Sequence, residues 1–495
     1  MFKRLVPLLL AVTLTGCANM ASHDTKIANI EAASRTGGLQ GALAQLDSTV
    51  KTEEEKAGML YNMERGELLR MDRRYPDSTS AFLKADEQVN KWETEAKNNS
   101  EKLLGTLGAA LISERLKVYE GQDYEKVWLA TRLALNRVAT NDFDNARVDI
   151  KRTHEREAVI AEFRAKETVA AEEEAKSKGV EAKGKELNGY PVESLNDPEV
   201  LQLKNGYQNA LSHYLAGFLY EAMNEPGLAA PGYRKAIELK PETPVLEEGL
   251  RGLDTRTGFM QKRRQRMTDV LFVLEAGTAP ARKSVQFTVP IPYKNRVNTV
   301  SISYPVIQPS KDPLVRSVTA GGTQFNLEKV VDLNVMARRV LKDEMPGMVV
   351  RNITRAFTKL VMQDELSSKG GTAGAFLSLI GTVAAVVTEQ ADDRMWRMLP
   401  GRVYIARGYL PPGEHSVFID GRDYKISIKV DGQYALVPLR LYEDRALVGD
   451  IGSTGVLAAI PPPTPVEAPK IEEKPVKKVV PSKPTAKPSV KKVTS

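Results

Sequence analysis

The stretch ALSHYLAGFLYEAMNEPGLAAPGYRKAIELKP, residues 210–241, decides how the first half of this 495-residue chain is read. Gly217, Ala229 and Ala236 are small residues that let two antiparallel helices approach closely, while Tyr220 and Tyr233 fill the adjoining layer. Asn224-Glu225-Pro226-Gly227 supplies the turn between them. Pro231 is expected in the first turn of the second helix, where no intrahelical donor is lost, and Pro241 ends that helix.

This spacing resembles a tetratricopeptide repeat. A weaker copy lies in LYNMERGELLRMDRRYPDSTSAFLKADE, residues 60–87, with Gly66, Leu69, Phe82 and Ala85 at the same offsets. A third lies in VWLATRLALNRVATNDFDNARVDIKR, residues 127–152, with Ala134 and Ala146 in the small positions. Repeats of this kind bury their faces against one another, so a divergent helical stack over 27–266 is expected. The charge-laced segment from Arg147 to Lys185 predicts a long exposed helix, broken by the turn residues of NGYPVESLNDPEV.

Beyond Met267 the period changes from helix to strand. SVQFTVPIPY, TVSISYPVI, RVYIARGYL, EHSVFIDG, YKISIKVDG and YALVPLRLY alternate in hydrophobicity. Prolines 290, 292 and 305 confine the first two to edges or bulges, and Gly413 and Asp431-Gly432 are read as hairpin turns. The fold class is therefore α+β and multidomain. A helical repeat domain is followed over 267–450 by a β-rich antiparallel sandwich or sheet, interrupted by a helical insertion at 327–399.

Within the insertion two helices are expected on either side of a Pro346-Gly347 break. The second carries an apolar stripe of Val350, Ile353, Phe357, Leu360 and Val361, and a basic one of Arg351, Arg355 and Lys359, read as a solvated face. Residues 370–388 are uncharged. They are only as long as the shortest usable membrane span and are diluted by Gly, Ser and Thr, so a buried helix is favoured over one that dips into a membrane.

The N-terminus reads as an export signal over 1–16: Lys3 and Arg4, an apolar run from Leu5 to Leu14, then small residues. Leu14-Thr15-Gly16-Cys17 resembles the bacterial lipobox, which implies cleavage before Cys17 and its lipidation, with 17–26 as a linker. Several acyl chains anchor stably where one does not. Ala18, in place of the Asp of inner-membrane retention, implies the outer membrane of a Gram-negative cell, with the body in the periplasm. Cys17 is the only cysteine, so no disulfide, catalytic thiolate or thiolate-bound metal is expected.

The net charge of +7 resides in the leader and in the tail, where eight lysines from Pro461 onward face three glutamates. The body is near neutral, and no nucleic-acid partner is expected. Proline and lysine at this density keep 451–495 from packing a core, and the tail is a candidate contact to peptidoglycan.

No nucleophile elbow, phosphate loop or dinucleotide fingerprint occurs. His23, His154, His213 and His415 are scattered without metal-ligand spacing, and no cofactor, metal or enzymatic activity is expected. One constellation is more specific. EQADDRMWRMLPGRVYIARGYLPPGEH, residues 389–415, places Asp392, Arg394 and Trp396 before a strand carrying Arg407. Arg and Trp stack and form planar ion pairs, which suits an internal latch, a domain interface or a ligand contact.

That string and VYEGQDYEKVWLATRLALNRVATNDFDNARVDIKR, residues 118–152, together resemble a family of Gram-negative envelope lipoproteins. The likeness rests on Tyr119, Gly121, Tyr124, Glu125, Ala134, Leu135 and Asn136, while Arg132 and Asp393 depart from it. Members are often encoded beside lipoproteins similar to activators of penicillin-binding proteins. The resemblance implies cell-wall or surface-assembly work. The repeats and the anchor together point to a protein-interaction scaffold, its partner expected on the concave face of the helical stack, with a component of an oligomeric membrane or export assembly as the alternative and a cell-wall enzyme as a remoter one.

Overall fold

A computed structural model describes residues 23–36, 38–100, 118–177, 191–293, 296–369 and 390–459. The leader with Cys17, the apolar stretch 370–388 and the Pro/Lys-rich tail from 460 lie outside these residues. The fold is mixed: a helical N-terminal region followed by sheets.

The helices are α1 (His23–Thr36), α2 (Leu39–Ser48), α3 (Glu53–Ala57), α4 (Met59–Met71), α5 (Tyr75–Asn98), α6 (Asp123–Ala139), α7 (Phe143–Ser177), α8 (Pro198–Gln202), α9 (Ala210–Ala222), α10 (Pro226–Leu239), α11 (Pro244–Arg251), α12 (Leu253–Thr257) and α13 (Phe259–Arg264). α1 begins inside the stretch read as linker, because Ile27 and Ile30 already reach the core.

Three helix hairpins, α4/α5, α6/α7 and α9/α10, share one turn. Arg73, Asn141 and Asn224 each adopt a left-handed backbone. The next residue then donates its N–H back across the helix end: Arg74 to Leu69, Asp142 to Arg137, and Glu225 to Tyr220. This closure satisfies carbonyls that the helix leaves orphaned. Counted from those three residues, equal offsets hold Gly66, Ala134 and Gly217, then Ser78, Ala146 and Ala229, then Phe82, Ile150 and Tyr233, then Ala85, Thr153 and Ala236. All twelve are buried. A Cβ on Gly217 would stand 2.7 Å from the Tyr233 ring, and one on Gly66 would enter the Phe82 ring. Tyr220 is half-buried at the layer's rim, and Pro241 follows the end of α10 as expected.

Two helical expectations need correction. Pro226 takes the first position of α10 and Pro231 sits inside the helix, because the left-handed Asn224 starts α10 earlier than the turn was drawn. α7 is not an exposed arm over its whole length. Its first half is buried through Ala146, Ile150, Thr153, Arg156, Ile160 and Phe163, and Arg156 pairs with Asp86 inside the fold.

The strands are β1 (Thr268–Ala276), β2 (Ala281–Tyr293), β3 (Arg296–Gln308), β4 (Ser317–Ala320), β5 (Thr323–Asn326), β6 (Glu328–Asp332), β7 (Arg402–Leu410), β8 (Gly413–Ile419), β9 (Arg422–Val430), β10 (Tyr434–Leu441), β11 (Ala446–Val448) and β12 (Gly452–Thr454). One sheet runs β11-β10-β1-β7-β6, with β12 also on β10. A second runs β5-β4-β8-β9. β1 and β10 are parallel, so the larger sheet is mixed rather than antiparallel. β12 falls within the expected tail, tied down where the Ser453 N–H meets the Asn141 side chain at 2.8 Å.

β1 is buried along its whole length, and its continuous apolar run is what a strand covered on both faces requires. Val270, Phe272 and Leu274 join Ala406, Val437, Val417 and Ile428 in a layer between the two sheets. Leu271 and Val273 turn the other way and pack with Ile405 and Leu436 against Leu133, Leu211 and Phe218 of the helices. Gly413 and Asp431-Gly432 are crossovers between the sheets, not hairpin turns. Tight hairpins lie at Asp420-Gly421 and at Gly321-Gly322, where both residues of each pair have positive φ.

β2 and β3 form a two-stranded ribbon paired from Ala281↔Gln308 to Tyr293↔Arg296. Each strand is an edge, so prolines 290, 292 and 305 are accommodated. α14 (Leu333–Lys369) runs unbroken through Pro346, against the expected break, and Asn352 Nδ2 donates to the Ser303 carbonyl of β3 at 3.1 Å. Arg355 is buried and Arg351 half-buried, so these two residues of the expected solvated stripe pack instead. Among the described residues no helix is long and apolar enough to cross a membrane.

Candidate functional site

Residues 391–399 form an irregular segment inside the protein, so its backbone N–H groups need partners from elsewhere. Two buried glutamates supply them. Glu125 of α6 accepts the Trp396 N–H at 2.7 Å, and Glu64 of α4 accepts those of Arg397 and Met398 at 2.7 and 2.9 Å. The Trp396 ring meets Phe82 edge-on at 5.7 Å. Glu125 also accepts the Tyr119 hydroxyl at 2.5 Å and the Gln122 N–H at 2.9 Å, closing the capping box that starts α6. Burial outweighs these donors and pushes the Glu125 carboxyl up to about 7.

Asp392 and Arg394 pair at 2.8 Å, and the Arg394 guanidinium lies 5.2 Å from the centre of the Tyr119 ring. Arg282 of β2 bridges the Asp392 carbonyl (2.9 Å) and the Gln122 side chain (3.0 Å). Residues from the two strings singled out in the sequence, 118–152 and 389–415, therefore meet. Beside them lies a cleft of about 140 Å³, lined by Trp92, Tyr119, Lys126, Arg164, Glu344, Arg351 and Arg394 among others. Its cations face internal carboxylates. Arg164 holds Asp123 at 2.6 Å, and Lys126 stands 3.3 Å from the same group. Burial alone would raise the Asp123 carboxyl, but Arg164 and Lys126 bring it down to about 2.

Arg407 is not part of that cluster. It projects from β7 to Asp269 of β1 at 2.8 Å, Glu221 of α9 at 2.7 Å and the Tyr233 hydroxyl of α10 at 2.9 Å. Arg256 of α12 meets Glu221 at 2.6 Å. Burial would raise Glu221, yet the two guanidiniums hold its carboxyl at about 2. Tyr233, expected as a packing residue, is thus also a hydrogen-bond donor, to Glu221 at 2.6 Å.

Around Arg407 opens a groove of about 680 Å³ between α11, α12 and β7. The β6 ladder covers only Arg402–Ile405 of β7. The Asp269 N–H donates to Gln433 on the β10 side, so its neighbours Thr268 and Val270 turn their backbone groups to β7. By the two-residue period, the backbone groups of Arg407 and Tyr409 then point away from β1 and into the groove, where no described ladder reaches them. Gly408 between them is obligatory, since the Phe325 ring occupies the place of a Cβ. Glu247, Glu248 and Glu328 stand at the groove, with Arg251 paired to Glu248 at 3.3 Å.

A third buried network was not foreseen. Arg132 pairs with Glu67 at 3.0 Å and with Glu275 of β1, while Arg440 of β10 meets Glu275 at 3.2 Å and the Met398 carbonyl at 2.9 Å. The only signal in sequence is charge at positions where the hairpin pattern calls for core, with Arg132 standing out as a departure from the resemblance. His213 is likewise buried, with Glu157 at 3.0 Å and His154 at 2.8 Å, contacts that spacing along one helix does not reveal.

No match was found for the chain among family models, curated proteins or solved structures.

Proposed function

We propose that this protein is an outer-membrane lipoprotein, anchored through Cys17 and facing the periplasm, that serves as a protein-interaction scaffold of the cell envelope. In this reading the three hairpins with equal offsets are tetratricopeptide-like repeats, and the two facing sheets are a sandwich. The observation that carries the reading is the open edge of β7 at Arg407 and Tyr409, lying in a groove large enough for a peptide. The inner face of the helical layer, where such repeats commonly take a ligand, is filled by β1, β7 and β10. The partner therefore belongs at the β7 edge. It adds an extended segment there through main-chain hydrogen bonds, with a basic residue set against Glu247, Glu248 and Glu328.

A photo-crosslinking amino acid in place of Tyr409, with one in place of exposed Leu83 as control, tests the reading in cells. The expected product is an adduct from position 409 alone. Its crosslinked peptide should carry lysine or arginine, and Glu328→Lys should abolish it. No adduct at 409, or the same adduct from both positions, sinks the proposal.

A second reading, a subunit of an oligomeric membrane or export assembly, is favoured by the β2–β3 ribbon, whose two outer edges are met by no other strand in the described ladders. Residues 370–388, the other element of that reading, lie outside the described residues.

A further inference from the structure

From Gly258 to Met267 the chain reads GFMQKRRQRM, four cations without a carboxylate, in a body whose charge is near balance as a whole. The structure places this stretch on the surface as α13 and the turn into β1. Phe259, Met260 and Met267 are 71%, 56% and 41% exposed, values at odds with the burial such side chains normally achieve. Val456, 85% exposed, lies alongside, because the Ala458 N–H donates to the Gln265 carbonyl at 2.8 Å. Arg263, Arg264 and Arg266 are exposed and make no ion pair among the described residues. The Arg263 guanidinium stands 5.4 Å from the centre of the Phe259 ring, so the aromatic face and the charge are presented together. Asp254, just before the stretch in the chain, and Asp431, brought near where the Gln433 side chain donates to the Lys262 carbonyl, leave the patch with a positive balance.

We propose that this patch docks on the surface of an anionic phospholipid bilayer, with Phe259, Met260, Met267 and Val456 entering the headgroup region and Arg263, Arg264 and Arg266 meeting lipid phosphates. Exposed apolar side chains interleaved with unpaired cations are what an interfacial contact needs. The apolar groups gain from leaving water, and each near-surface cation adds about fivefold in affinity on a negative leaflet. A soluble polyanion would match the charges and leave the apolar side chains unexplained. The contact is separate from the acyl anchor and does not depend on it. It would fix which side of the body faces the membrane.

Phe259→Trp in the full chain provides a local probe, read as its emission difference from the wild type. Vesicles of phosphatidylglycerol and phosphatidylcholine should blue-shift the added emission, and brominated lipid should quench it. Pure phosphatidylcholine should do neither. The triple change Arg263→Glu, Arg264→Glu, Arg266→Glu in the Phe259→Trp chain should lose both effects and weaken binding about hundredfold. Circular dichroism checks that the fold is kept, as expected for three exposed side chains with no ion pair among the described residues. No blue shift on anionic vesicles, an equal shift on neutral ones, or heparin binding as tight as vesicle binding without quenching would each overturn the proposal.

Discussion

Glu125 on α6 accepts the backbone N–H of Trp396 at 2.7 Å, joining residues 271 positions apart. Its folded carboxyl, at about 7, stands above the ordinary 4.5, so the stability it contributes is full below 4.5 and is lost as pH rises through about 7. That difference is worth about 3 kcal/mol. Glu125→Gln, which stays neutral, should flatten the fall in urea midpoint between pH 5 and pH 8.

Glu221 carries the opposite sign. Held at about 2 by Arg407 and Arg256, it contributes stability above 4.5 that is lost as pH falls toward 2. Glu221→Gln leaves two buried guanidiniums short of a carboxylate. It should cost about 3–5 kcal/mol at pH 7 and shrink the acid limb of the stability profile, measured by denaturant unfolding across pH 2.5 to 7.

Arg132 faces Glu67 and Glu275 with no exposure to solvent. Arg132→Met should cost about 3–5 kcal/mol, because it leaves two buried carboxylates to share Arg440 alone. Adding Glu275→Gln should restore part of the loss, and the non-additivity of a double-mutant cycle measures the coupling.

Gly232 and Gly227 both sit in α10 but predict different outcomes. A Cβ at 232 would approach the Gly217 nitrogen and the His213 carbonyl at 2.7 Å, whereas one at 227 meets nothing within 4 Å. Gly232→Ala should destabilise by about 1–3 kcal/mol and Gly227→Ala should not, as thermal melts would show.

Cys17→Ser removes the proposed acyl site. Fractionation of cells should then move the chain from the membrane pellet toward the soluble fraction. An unchanged distribution would remove the anchor from the functional reading.

What was legible in the sequence was local. The hairpin pattern around Gly217 and Tyr233 is a matter of small and large residues a few positions apart, and the alternating strands declare themselves by a period of two. β1 was missed for the converse reason. Covered on both faces, it has no alternation to read, and its partner β10 begins 158 positions beyond its last residue, Ala276 to Tyr434. The site followed the same rule. Asp392, Arg394 and Trp396 stood out as a dense local string, but their glutamate acceptors lie on helices hundreds of positions earlier. Glu64, Glu67 and Arg132 each look like surface charge until a second charge arrives from the sheet. Arg407 was noticed in the same string as Trp396 and belongs to a different cluster, since proximity in sequence ends where β7 begins.

The parallel pairing of β1 with β10 sets an order of events during synthesis. The helical hairpins are complete long before residues 434–441 exist, yet the face that holds Glu67, Arg132 and Glu221 is closed only by the sheet those residues finish. A nascent chain must therefore carry an uncovered, charge-studded helical face until nearly its whole length has been made. Long-range pairing of this kind is slow and exposes partly folded chains to aggregation. Chains truncated before Tyr434 should be the ones that chaperones and proteases seize.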